Sequence, residues 1–308
     1  YLTNNYFLNT SNSKMTDGMM ERDDTKKPSG NSGSSVSYTG VKEITEDTTI
    51  TGETVTSSNS DENALLINGK VKATISDSTV EKTGDSDGGD SSSFYGNNSA
   101  IIAKGGAELT IDNSIVNTNA SGANGVFSYG GSATTNNSSS DGTTVTISNS
   151  KITTTGDNAG GIMTTGGGIT KATNLTITTS GTSSAAIRTD RGGGTVTVNK
   201  GTYTTNGQGS PTIYSTADIT VNDAKLISNA SEGIVIEGAN SVTINNCELT
   251  DSNTKLNGKS TTYKNIFLYQ SMSGDAANGN ASFTAKNSNI ITNNGDTFYI
   301  TNTTATIN

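Results

Sequence analysis

The chain has 308 residues; Ser, Thr and Asn together make 130 of them, hydrophobic residues reach only 30% and charged residues only 15%. There is no His, no Trp and a single Cys, Cys247, which excludes Ser-His-Asp and Cys-His catalysis, His-ligated zinc, CxxC redox chemistry and an internal disulfide. A formal charge of −9 argues against a nucleic-acid-binding surface, and no run approaches the ~18 apolar residues of a membrane span.

Residues 1–40 carry no repeat and read as an N-terminal cap or irregular segment. Their apolar residues Tyr1, Leu2, Tyr6, Phe7 and Leu8 are expected to cover the open first coil of the repeat that follows. From residue 41 one phrase returns, as in Val145-Thr-Ile-Ser-Asn-Ser-Lys-Ile-Thr-Thr-Thr-Gly156 and Ala73-Thr-Ile-Ser-Asp-Ser-Thr-Val-Glu-Lys-Thr-Gly84. Aligned on its third residue, the copies give Ile50, Ile75, Ile111, Ile147, Ala172, Val198, Val221, Ile244, Ala285 and Ile307. The base period is 22–26 residues, and the longer intervals carry insertions near 84–98, 131–142, 254–264 and 271–280. These are rich in Ser, Asn and Gly and are expected to be surface loops. A second column reads Leu65, Ile101, Val126, Ile162, Ile187, Ile213, Ile234, Ile266 and Phe298, large and apolar in every copy. The pattern is still running at Asn308, so the repeat is expected to continue beyond it.

Within each copy apolar and polar residues alternate, which is the two-residue period of a strand. Strands that return every 22–26 residues predict an all-β chain, a parallel solenoid of about ten coils with three short strands per coil over 41–308. Between the first two strands a polar corner reads Asp77, Asn113, Asn149, Asn174, Lys200, Asp223, Asn246 and Asn287. Asn and Asp suit a left-handed backbone there, and their side chains can bond coil to coil. A column of Thr118, Thr154, Thr179, Thr205, Ser228 and Thr292 is expected to point inward as a hydrogen-bonded ladder.

Coil length, aliphatic columns and the Asn corner resemble the right-handed parallel β-helix proteins of the pectin-lyase-like superfamily, over residues 41–308. The pattern looks closest to the Thr/Asn-rich surface β-helices of Firmicutes. The resemblance implies a right-handed coil and frequent polysaccharide partners, among lyases, hydrolases and adhesins alike. Fold alone does not choose between them.

An enzyme of that kind uses Arg or Lys with carboxylates. Arg188 and Arg191 fall together in Arg188-Thr-Asp-Arg191, and Asp190 and Glu237 lie two coils apart, roughly 10 Å at the strand spacing. Solvated charges are the plainer reading of these four candidate catalytic residues. Asp85, Asp87 and Asp90 in a glycine-rich loop are the candidate metal ligands, with calcium the ion; an ordinary acidic loop is the plainer reading there.

The more unusual feature is the outward position of the third strand, Leu66, Ile102, Phe127, Met163, Arg188, Tyr214, Val235, Phe267 and Tyr299. Exposed, this stripe would stack on sugars or meet a protein partner, with Phe127, Met163, Arg188, Tyr214, Phe267 and Tyr299 as the contact residues. The alternative is a second core under the insertions or the N-terminal segment. The expectation is a secreted or cell-surface, adhesin-like or structural module that contacts polysaccharide or a cell-surface glycan without catalysis. The alternatives are a polysaccharide lyase or glycoside hydrolase, and a structural stalk or assembly subunit.

Overall fold

The computed structural model describes the backbone of residues 2–4 and residues 36–86, 89–132, 139–271, 273 and 276–308. They form a parallel β-helix. Each coil runs through a first strand, a tight corner, a second strand and then a third, as in Thr144–Ser148, Lys151–Thr154 and Ile162–Thr165. The first and second strands stack into one 17-stranded sheet that bends at the corner, and the third strands stack into a 10-stranded sheet. Every pairing between coils is parallel. The antiparallel exception is Leu2–Asn4, which lies against the last coil with Leu2 opposite Ile307. Of the residues expected to cap the first coil, Leu2 thus lies at the other end; Tyr1, Tyr6, Phe7 and Leu8 lie outside the described residues.

Register follows the sequence columns. Ile50, Ile75, Ile111, Ile147, Ala172, Val198, Val221, Ile244 and Ala285 pair successively and face inward, and Leu65 through Ile266 do the same in the third strand, where Phe298 of the last coil pairs in register but is 37% exposed. Ile307 departs from the expected alignment by two residues. It pairs with Phe283 rather than Ala285, a shift that keeps the same face inward because side chains alternate with a period of two.

All eight corner residues from Asp77 to Asn287 adopt left-handed φ between 46° and 62°. Asn and Asp tolerate this because a short polar side chain bonds locally; Lys200, at 62°, has no such aid. Side-chain bonds link the corners in places: Asn113 Nδ2 donates to Asp77 Oδ1 at 2.6 Å and Asn174 Nδ2 to Asn149 Oδ1 at 2.9 Å. In later coils the ladder moves one residue earlier, from Asn245 to Asn222 and from Asn222 to Asn199.

The hydroxyl column is buried from Thr118 to Ser228, and one rung of the expected ladder forms, Thr205 Oγ1 to Ser228 Oγ at 3.4 Å; other hydroxyls of the column bond elsewhere. Thr154 donates to the Ala159 carbonyl and Thr179 to the Ser184 carbonyl, each at 2.6 Å, and Ser228 to the Ser231 carbonyl at 2.8 Å. The corner after the second strand turns a carbonyl inward, and that nearer acceptor captures the proton.

Candidate functional site

In the bent sheet, strands such as Glu108–Asp112 alternate exposed and buried residues, so one face is solvated. The third-strand sheet is different: Ile162–Thr165, Ile234–Glu237 and Lys264–Tyr269 are buried at every position. A sheet covered on both faces needs apolar residues on both. That accounts for the outward stripe. Leu66, Ile102, Phe127, Met163, Arg188, Tyr214, Val235 and Phe267 are all at most 4% exposed, and Tyr299 is half-buried.

The stripe divides into two apolar clusters. Leu66, Ile102, Phe127 and Met163 pack with Tyr38 and Tyr129. Over them lies the 84–98 insertion, which forms a short helix, Gly89–Ser93, and is no plain surface loop. Phe94 is fully buried, its carbonyl accepts the Thr165 hydroxyl at 2.6 Å, and the Tyr38 hydroxyl donates to the Tyr95 carbonyl at 2.6 Å. A Cβ on Gly96 would stand 2.7 Å from both Ile102 and Phe127, so the insertion backbone rests directly on the stripe. The second cluster holds Tyr214, Val235, Phe267 and Tyr269, with Phe267 and Tyr269 stacked at 4.5 Å and Lys264 Nζ 4.5 Å from the Phe267 ring.

Between the clusters sit the charged candidates. Arg188 pairs with Asp190, both buried, and its guanidinium stands 5.2 Å from the Tyr214 ring. The Tyr214, Tyr269 and Ser271 hydroxyls all donate to the Glu237 carboxylate. Burial, and then the charge of Glu237, holds both phenols protonated, their ionisation well above the ordinary tyrosine range. Asp190 also accepts the Arg191 backbone N–H at 2.8 Å, while the Arg191 guanidinium lies 4.0 Å over Phe94 and 3.8 Å from Asp90. The structure therefore brings Arg188, Asp190 and Glu237 into one connected network through Tyr214. Each carboxylate there already holds donors, and a general acid or base must lie within reach of substrate.

Of the three candidate calcium ligands, two lie among the described residues. Asp85 Oδ1 accepts the Ser121 N–H at 2.8 Å, Asp90 lies in the first turn of the short helix and faces Arg191, and Asp87 lies outside the described residues. Among the described residues no group of three or more His, Cys, Asp and Glu side chains converges.

A concave surface lies along the Asn corner. An open groove of about 520 Å³ spans four coils. Buried Ser78, Ser114 and Ser150 form its floor, and exposed Asp77, Asn113, Asn149 and Asn174 line one bank. Opposite stand Thr79, Ile115, Lys151 and Thr176, with Ile115 43% exposed. The serine hydroxyls are spent on the fold, donating to the Ser76, Asp112 and Ser148 carbonyls. The banks keep amide, carboxylate, hydroxyl and ammonium groups at the surface, repeating at the ~4.8 Å spacing of the coils. The corner column was visible in the sequence; that it borders a groove follows from the bend of the sheet. Comparison with protein-family models, with curated proteins and with solved structures finds no match.

Proposed function

We propose that this chain is a non-catalytic, extracellular, adhesin-like surface module of the pectin-lyase-like kind, related to the Thr/Asn-rich β-helices of Firmicutes, which holds polysaccharide along the Asn-corner groove. The groove carries the reading: an open trough lined by polar groups from four successive coils, with an exposed aliphatic rung at Ile115. An extended polyhydroxyl chain offers matching donors, acceptors and apolar ring faces. The strand face that serves the ligand is thus the Asn corner, while the aromatic stripe serves as a second core. The burial of Arg188, Asp190 and Glu237, with the Arg188–Asp190 ion pair and the tyrosine bonds to Glu237, supports a role in packing rather than acid-base chemistry.

The test is a glycan array and polysaccharide pull-down with the wild type and with Asn113→Gly/Asn149→Gly. Glycine keeps the left-handed corner, where these residues have φ of 46° and 50°, while removing the amides. Binding by the wild type and at least tenfold weaker binding by the double variant, at unchanged far-UV circular dichroism, is the expected result. Absence of glycan binding by the folded wild type, or equal binding by the variant, would sink the reading.

A further inference from the structure

The register places Asp251 in the inward hydroxyl column, between Ser228 and Thr292. Its side chain is fully buried, and neither carboxylate oxygen closes a well-formed hydrogen bond, the Asn253 backbone N–H being the donor that faces it. Two more buried acceptors at the same corner are also unpartnered, Asn253 Oδ1 and Asn265 Oδ1, on residues 1% and 0% exposed. Their amide ends are engaged: Asn253 Nδ2 donates to the Lys264 carbonyl and Asn265 Nδ2 to Thr292 Oγ1, each at 3.0 Å. Because a carbonyl can only accept, the first bond fixes which end of Asn253 is left over. Asn265 Oδ1 lies where a Cβ of Gly233 would stand 2.1 Å away, directly over the preceding coil. The next residue back there is Glu232, buried, with Ser231 Oγ donating to its Oε2 at 2.7 Å.

Asp251, Asn253 and Asn265 belong to one corner at the neck of the 254–264 insertion: Asn253 bonds to Lys264, which precedes Asn265, and Asn265 bonds to Thr292, which pairs with Asp251. At Thr154, Thr179 and Ser228 in the coils below, the same position is a hydroxyl that hands its proton to the corner carbonyl. An unpartnered buried acceptor costs roughly 1–3 kcal/mol and a buried carboxylate more. One water supplies two protons and leaves two of the four oxygens unmet. A hard cation satisfies all of them together, and two carboxylates neutralise a divalent one. Carboxylate and amide oxygens without donors are a calcium set; magnesium keeps its waters and demands a stricter octahedron.

We propose that the corner formed by Asp251, Asn253, Asn265 and Glu232 binds a single calcium ion that ties two coils together inside the solenoid. This does not depend on the glycan reading.

The experiment is thermal unfolding of the EDTA-treated full chain at pH 8, with calcium or magnesium added, and calorimetric titration for stoichiometry. Asp251→Thr is the control, since it restores the hydroxyl of the column. The wild type is expected to bind one calcium per chain and to gain about 5 °C in Tm at a hundredfold excess over Kd, with magnesium far weaker. Asp251→Thr is expected to fold and to show neither effect. No calcium-dependent shift in the wild type overturns the proposal and leaves a protonated Asp251 with a buried water. An equal shift in Asp251→Thr overturns it too, and places the ion elsewhere.

Discussion

Asp251 and Lys82 occupy positions in one inward column that their neighbours fill with hydroxyls, and each titrates abnormally for that reason. Lys82 Nζ donates to the Asn59, Thr83 and Gly84 carbonyls, the same service that Thr154 and Thr179 perform with hydroxyls. Burial lowers its pKa to about 8 against the pull of Glu62, Asp61 and Asp85. Asp251 brings acceptors where donors are wanted, and burial raises its pKa to about 8, opposed by the Asn253 backbone amide and reinforced by Glu232. The folded state therefore binds the Asp251 proton more tightly than the unfolded chain. Its stability is intact below about pH 4 and drains away as pH rises toward about 8, at up to about 1.4 kcal/mol per unit. Lys82 acts in a separate window, relieving its own penalty between about 8 and 10.5. In EDTA, urea midpoints of the wild type are expected to fall between pH 5 and 8 relative to those of Asp251→Thr. Parallel pH profiles for the two proteins would show that Asp251 does not titrate in this range.

At the scale of the element, the coil closes because backbones meet without side chains between them. After the second strand, Ala120, Gly156, Gly181 and Gly207 stack, and a Cβ on Gly181 would stand 1.8 Å from the Gly156 carbonyl oxygen. No rotamer relieves a clash with backbone. Gly181→Ala is expected to cost about 2–3 kcal/mol, read as a lower urea midpoint at unchanged m-value. The same substitution at Gly52, where a Cβ meets open space, carries only the strain of its φ of 68°. A loss no greater at Gly181 than at Gly52 would mean that the coils do not approach this closely.

For the whole molecule, the decisive feature is a sheet with a core on each side. The inner core runs the length of the solenoid, and the outer one is split into two clusters by the Arg188–Asp190 pair. Solenoid stability is a sum over neighbouring coils, so an insertion that lies across several of them couples repeats which otherwise touch only their neighbours. Phe127→Ala is expected to cost about 3–5 kcal/mol in denaturant unfolding, because Phe127 is fully buried beneath the 84–98 insertion. An exposed sugar-stacking residue would instead lose affinity at nearly constant stability, and that outcome would return the stripe to the surface.

The coil, its length, its three strands and its inward columns were legible in the residues alone, because each depends on periodicities of two residues and of 22–26 residues that any stacked copy must obey. So was the corner, since a left-handed backbone selects Asn and Asp at eight places almost without exception. Asp251 stood in register in the hydroxyl column and was legible there, though its stranded oxygens were not. Which outward face is wet emerges only once the insertions are packed. Alternation tells which residues of a strand share a face, but what lies over that face depends on insertions that follow no period. For the same reason the aromatic stripe became a core, the Arg188–Glu237 network closed, and the open groove fell at the corner, where the two strands of each coil bend away from one another.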